Sequence, residues 1–422
     1  MTEEINTIIA EPRIAQFENL GFGMFVHWGL YSQLGKGEWA QHILSFELNE
    51  YTKLKDSFTA ENFDAVALVE LARDAGMKYI CLTTRHHDGF SLYDTRGQND
   101  YDAPHSPAGR DLVEEFAAAC RDGGILPIFY HTTIDWFWRG KKTWNLSEEE
   151  FDEYLGYLYI SVENLCTHYG EIGGMWFDGN WCRPDMDWKV DRLYKMIHRL
   201  QPNAIITNNT GIHRPGEFEH LEIDNVTFEN QPAAPLDRRG HSKYITGEMC
   251  QTLNSHWGVG SNDINYKSVP ELIRFLAKCR KVGANYLLNI GPAAQGAIPE
   301  MEAATLRSVG RWTHRFADAI YEAKPCSVQC AGEDFFLQHD DRYYWYVFKL
   351  GITGHPDVTV KTSGELNRKA SGLAGEIEFV QWHDNGQPLE FVQDGDQISI
   401  EMTRYPYGTD WVVRVAELKI AK

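Results

Sequence analysis

The sequence predicts an α/β protein built as a (β/α)8-like (TIM) barrel, followed by a C-terminal antiparallel β-sandwich. Three observations predict it. Short apolar runs alternate with amphipathic helical stretches from about residue 20 to about residue 320. Three of those runs end abruptly in polar tips: Phe25-Val-His-Trp-Gly29 delivers His27, Thr83-Thr-Arg-His-His-Asp-Gly-Phe90 delivers His86 and His87, and Met175-Trp-Phe-Asp-Gly179 delivers Asp178. Beyond about residue 322 the texture changes to alternating and β-branched runs. Parallel strands buried on both faces read as continuous apolar runs, and in a closed barrel the C-terminal strand ends form one catalytic rim. An open doubly wound sheet is the runner-up. It lacks the Gly-x-Gly-x-x-Gly loop that would open a helix after the first strand.

The elements follow in order. Met24–His27 is the first strand. A helix over roughly 60–75 has Thr59 as its expected N-cap and Gly76 as its stop. Lys78–Thr84 is a strand, Arg110–Arg121 a helix and Ile125–His131 a strand. Residues 147–168 form a long helix, because Phe151, Tyr154, Leu155, Leu158, Val162 and Leu165 recur at helical spacing. Met175–Phe177 is a strand and Trp188–Leu200 a helix. Ala204–Asn208 and Val226–Glu229 read as strands, Leu272–Lys281 as a helix, Asn285–Ile290 as a strand and roughly 300–319 as a last helix. The sandwich runs are Tyr343–Leu350, Glu376–Trp382, Gln397–Met402 and Trp411–Val415, with hairpin turns expected at Asn385-Gly386 and Asp394-Gly395. This divides the chain into a catalytic barrel at 1–322 and a sandwich at 323–422.

Composition narrows the function. A net charge of −20 opposes binding to phosphate backbones, which argues against nucleic acid. No long uncharged apolar stretch suggests a membrane span. The opening residues Met-Thr-Glu-Glu-Ile-Asn are acidic where a secretory signal is basic, which predicts a cytoplasmic protein. Eight cysteines are scattered without a Cys-x-x-Cys motif, the pattern of free thiols rather than a disulfide framework. Cys326 and Cys330 are close enough in sequence to pair. Thirteen Trp and twenty Tyr are plentiful, and aromatic faces suit sugar rings. Nothing in the composition bears on homo-oligomerisation, which stays open.

The polar tips carry the chemistry. Asp178 sits on a core strand, so it is a nucleophile or base candidate as well as an Asp-Gly turn former. His86 and His87 are adjacent. Neighbours on a strand face opposite ways, and no His-x-His or His-Glu-x-x-His pair occurs, so neither a metal nor a cofactor is expected. There is no Gly-x-Ser-x-Gly elbow and no cysteine in a polar strand tip. Paired carboxylates remain, the apparatus of glycosidic cleavage. The partner of Asp178 must lie on a later strand tip: Glu229, with Glu222 and Glu248 as rivals.

The segments Phe22-Gly-Met-Phe-Val-His-Trp-Gly29, Gly37-Glu-Trp39, Tyr79 to Phe90, Trp176-Phe-Asp-Gly179, Trp257-Gly258 and Gly283 to Pro292 together resemble the α-L-fucosidases of glycoside hydrolase family 29, over roughly 15–325. The resemblance implies an exo-acting, retaining double displacement on a fucosylated glycan or glycoside, without metal. It makes Asp178 the nucleophile and His27, His86 and His87 hydroxyl ligands. Glu38 and Trp39 match a hydroxyl ligand and a pocket wall, Tyr130 an aromatic near the nucleophile, and Trp257 an aromatic on the fucose methyl side. The pattern Asp-x-x-Thr-x-Glu at 224–229 fits one version of the acid/base segment and selects Glu229. Many members carry Asn-Asp-Arg where this chain reads Ile206-Thr-Asn-Asn-Thr210, so no arginine contact carries over. The alternatives are a barrel glycosidase for another terminal sugar and a catalytically silent sugar-binding barrel.

Overall fold

In the computed structural model, residues 8–238 and 241–421 are described. The acidic residues 1–6, read above as unlike a secretory signal, lie outside them. The chain forms two compact units, one of residues up to 267 with 285–307, the other of 268–284 with the chain from 308 onward.

In the first unit eight parallel strands close into a barrel in sequence order: β1 (Phe22–Val26), β2 (Tyr79–Arg85), β3 (Leu126–Thr132), β4 (Gly174–Asp178), β5 (Ile205–Asn208), β6 (Asn225–Glu229), β7 (Thr246–Thr252) and β8 (Asn285–Ile290). The β1–β8 pairing, from Phe22 opposite Tyr286 to Val26 opposite Ile290, seals it. Large side chains fill the lumen, among them Phe25, Tyr79, Ile128, Tyr130, Trp176, Ile205 and Leu287. Gly23 is required there: a Cβ would stand 2.4 Å from the Tyr79 ring.

The seam between β5 and β6 differs from the others. Its backbone ladder is a single pair, Thr207 opposite Asn225. Side chains supplement it. The Asp224 carboxylate accepts from the Ile206 N–H at 2.9 Å, Asn225 Nδ2 donates to Thr207 Oγ1 at 3.1 Å, and Thr227 Oγ1 donates to Asn209 Oδ1 at 2.8 Å. Asp224 is fully buried and also holds Arg13 and Lys243.

The helices form where the apolar spacing and capping residues direct. Glu148–His168 starts at a capping box of Ser147 and Glu150 and buries the six apolar positions that predicted it. The helix predicted over 60–75 is Ala65–Asp74, and its N-cap is Asp64, whose side chain accepts from the Ala67 N–H, rather than Thr59. Asp64 stands directly before the first turn and Thr59 does not. One strand of the eight, β7, has no counterpart among the predicted ones. Its sequence Thr-Gly-Glu-Met-Cys-Gln-Thr is fully buried but half polar, so it carries no apolar run.

In the second unit two antiparallel sheets face each other. One has four strands, including Asn367–Ser371 and Gln397–Glu401, and the other five, including Arg342–Val347, Ile377–Trp382 and Arg414–Ile420. Trp345, Trp382, Val380, Ile398 and Ile400 pack between them. The run expected at Trp411–Val415 is a strand only from Arg414 onward. Cys326 and Cys330 are both free thiols.

Candidate active site

The C-terminal ends of the barrel strands ring a cavity of about 720 Å³. Eight of the nine residues singled out by sequence line it: His27, Glu38, Trp39, His86, Tyr130, Asp178, Glu229 and Trp257. The ninth, His87, is fully buried behind Asp178.

Asp178 ends β4, and the next residue turns the chain sharply. Gly179 has φ +110°, and a Cβ there would meet Ile134 at 2.9 Å, so glycine is needed. The Asp178 carbonyl accepts from the Thr133 N–H and hydroxyl at 2.7 and 2.8 Å, which fixes the backbone. Its carboxylate gathers donors: Trp181 Nε1 at 2.8 Å and Asn209 Nδ2 at 3.2 Å on Oδ1, and the Tyr130 hydroxyl at 3.2 Å on Oδ2. His87 Nε2 stands 3.5 Å from Oδ2, and its Nδ1 is 2.7 Å from Thr132 Oγ1. Burial raises the Asp178 pKa, but His87, Trp181 and Asn209 outweigh it and hold the carboxyl below its ordinary value.

Glu229 ends β6. Burial first, then the charge of Asp178, lift its carboxyl to about 7, against hydrogen bonds from Asn209 and Trp257. Asn209 joins the two acids. Its Nδ2 donates to Glu229 Oε2 at 2.9 Å and to Asp178 Oδ1 at 3.2 Å. Two oxygens in contact with one nitrogen are no more than about 6 Å apart, below the wide separation that an inverting enzyme needs to admit water. One carboxyl is thus pushed toward its ionised form and the other keeps its proton up to about pH 7, the division of roles that acid-assisted nucleophilic displacement needs.

His27 and His86 are neutral for a common reason. Burial pushes His27 down to about 3 and His86 well below its ordinary value. His27 Nδ1 lies 2.7 Å from Asn289 Oδ1, while Asn289 Nδ2 donates to the Trp257 carbonyl at 2.7 Å. That carbonyl can only accept, so it orients the amide. His27 Nδ1 therefore carries the proton and Nε2 is an acceptor. His86 Nδ1 is buried and has no hydrogen-bond partner among the described residues, and its ring stacks on Tyr130 at 5.4 Å. Among the described residues no group of three or more His, Cys, Asp or Glu is arranged to hold a metal ion.

The walls are aromatic. Trp39 packs edge-on to His87 at 5.2 Å and lies parallel to Trp181 at 6.3 Å, and Trp257 lies 5.0 Å from His27. Glu38, beside Trp39, accepts from the Gly258 N–H at 2.8 Å, and burial raises its pKa.

The two rivals of Glu229 lie elsewhere. Glu222 pairs with His198 at 3.2 Å in a separate surface depression. Glu248 is buried in the barrel, bonded to the Tyr79 hydroxyl and to Trp176 Nε1 at 3.0 Å. Burial lifts it to about 7 as well, which shows that a raised pKa alone does not identify an acid catalyst. Sequence reasoning missed Asn209, Trp181 and Arg214, which also line the cavity. Asn209 directly follows β5, so the strand-tip rule that found Asp178 reaches it too. Arg214 brings a guanidinium to the wall a few residues beyond the place where the Asn-Asp-Arg pattern fails, and it pairs with Glu219 at 2.6 Å.

Comparison with known proteins identifies the family. The family model described as alpha-L-fucosidase matches residues 2–318. The solved alpha-L-fucosidase isoenzyme 1 from Paenibacillus thiaminolyticus is 30% identical, with a TM-score of 0.84 over 97% of this chain and 99% of that one. The tissue alpha-L-fucosidase of Rattus norvegicus is 25% identical over 100% of this chain and 92% of its own length. A family 29 alpha-L-fucosidase structure from Bacteroides thetaiotaomicron shares the fold at 22% identity, with a TM-score of 0.83 over 98% and 95% of the two chains. By the span of the family match and the identity to a solved member, this chain belongs to the α-L-fucosidases of glycoside hydrolase family 29.

Proposed function

We propose that the protein releases terminal α-L-fucose by double displacement, with Asp178 as nucleophile and Glu229 as acid/base. In the first step an Asp178 oxygen bonds to the anomeric carbon as the glycosidic C–O bond breaks. The departing oxygen takes the proton of the Glu229 carboxyl. In the second step water attacks the same carbon, gives its proton to the Glu229 carboxylate, and the ester bond to Asp178 breaks. The observation that carries this reading is one amide nitrogen, Asn209 Nδ2, reaching both carboxyls at 3.2 and 2.9 Å, in surroundings that lower the Asp178 pKa and raise that of Glu229. In this reading His27, His86 and Glu38 bind the sugar hydroxyls and Trp39 and Trp257 its apolar surface, which their place in the cavity wall supports. His87, with Nε2 3.5 Å from Asp178 Oδ2, stands beside the nucleophile.

Asp178→Gly is expected to lower turnover of an aryl α-L-fucoside on the order of a thousandfold or more. Near-normal turnover in the folded variant removes Asp178 from the role. Glu229→Ala is expected to slow substrates with poor leaving groups far more than activated aryl ones, since only the former need the proton. Equal losses on both transfer the acid role to another group.

A further inference from the structure

Asn209 is bound on both sides. Its amide oxygen accepts from the Thr227 hydroxyl at 2.8 Å and from the Gly211 N–H at 3.2 Å. Both are donors, so they fix the oxygen away from the acids. The amide nitrogen is thereby directed at Asp178 and Glu229. Thr227 is fully buried on β6, two residues before Glu229, and so shares its face of the strand. Thr227 meets neither carboxylate in any of these bonds. Its effect on the acids runs through the amide.

We infer that Thr227 and Asn209 form a fixed amide clamp that serves both half-reactions. This rests on the assignment of Asp178 and Glu229 above. In the resting site the clamp donates to the Asp178 carboxylate. When that oxygen is esterified and Glu229 has given up its proton, the charge moves to Glu229, and the same nitrogen is already in place to donate to it. No side chain has to move between the steps, which is the economy of preorganised donors. Asn209 touches the reacting groups directly, and Thr227 is a positioning residue.

The test is the pH profile of kcat/KM on an aryl α-L-fucoside. A donor favours the charged form of whatever it meets, so it lowers the pKa of both acids. Losing it raises both. The acidic limb, set by Asp178 losing its proton, and the basic limb, set by Glu229 losing its proton, then move alkaline together. Other titratable groups face these acids: His27, His87, Tyr130 and Cys182 around Asp178, and Glu38 and Cys250 around Glu229. None of them is removed by the substitutions. Thr227→Val keeps the shape and loses the hydroxyl, and Asn209→Ala removes the amide. Asn209→Ala is expected to shift the whole bell by about one unit, the size of one charge-assisted hydrogen bond, and Thr227→Val to shift it the same way by less, because it frees the amide without removing it. Thr227→Ser is expected to restore the wild-type limbs. If Thr227→Val fails to fold, Asn209→Ala decides. Limbs that stay in place while the rate falls, a bell that only narrows, or a serine variant that behaves like valine overturns the clamp. A wild-type protein inactive on fucosides refutes the parent assignment instead.

Discussion

Asp178 stays charged in a buried site because donors converge on it from several strands. Trp181 Nε1 is the shortest of these contacts at 2.8 Å. Trp181→Phe keeps the ring against Trp39 and removes one donor. The acidic limb of kcat/KM should rise by about one unit and the rate should fall on the order of tenfold. An unmoved limb in the folded variant would show that the indole N–H does not support the charge. In the unmodified protein, activity should fade as pH rises through about 7, because Glu229 then gives up the proton it must donate. On the acid side activity should persist below the ordinary carboxylate range, because Asp178 is held ionised there. At this scale the sequence was most legible where a strand tip ended in a titratable residue, as at His27, His86 and Asp178. It was least legible at Asn209 and Trp181, whose importance comes from where an uncharged N–H points. The arrangement of His87 was also hidden. It follows its neighbour directly, yet it turns inward to Asp178 and Thr132 instead of toward the cavity.

At the scale of elements, the Asp-x-x-Thr-x-Glu run at 224–229 resolves into three physical tasks. Asp224 supplements the thin β5–β6 ladder, Thr227 holds Asn209, and Glu229 reaches the cavity. Burial raises the Asp224 pKa, but His198, Arg13 and Lys243 outweigh it and hold the carboxyl at about 2. A depressed folded value means that its stabilisation is present above the unfolded pKa and is lost as pH falls toward about 2. Asp224→Asn should therefore destabilise the protein by about 3 kcal/mol at pH 7, with the difference from wild type shrinking as the acid range is approached. Equal melting temperatures at pH 7 would refute this. Element types were legible because seven barrel strands carry apolar runs. The strand Thr246–Thr252 was not, because the barrel buries its polar residues against partners that only the closed fold supplies, such as Tyr79 and Trp176 for Glu248. Register and closure likewise follow from eight elements acting together and have no local signal.

At the scale of the whole molecule, the barrel unit holds the cavity in a single ring of strand ends. Two carboxyls reached by one amide nitrogen at its rim fit a course of two inversions at the anomeric carbon. Proton NMR in the first minutes of hydrolysis should show α-L-fucose before the β anomer grows by mutarotation. Initial β-fucose would refute the retaining course. The net charge of −20 surrounds a cavity lined mostly by neutral groups, so moderate salt should change kcat/KM for an uncharged fucoside very little.

The hoop of main-chain bonds is thinnest between Ile205–Asn208 and Asn225–Glu229, whereas β3 and β4 meet along five consecutive pairs from Ile128 to Thr132. The strand that ends in Glu229, the proposed acid, is thus thinly laced on one side, while five pairs from Asn225 to Glu229 tie it to β7 on the other. Variation among residues 205–206 and 224–226, which leaves Thr227 and its hold on Asn209 intact, can therefore retune how the departing or incoming alcohol is handled.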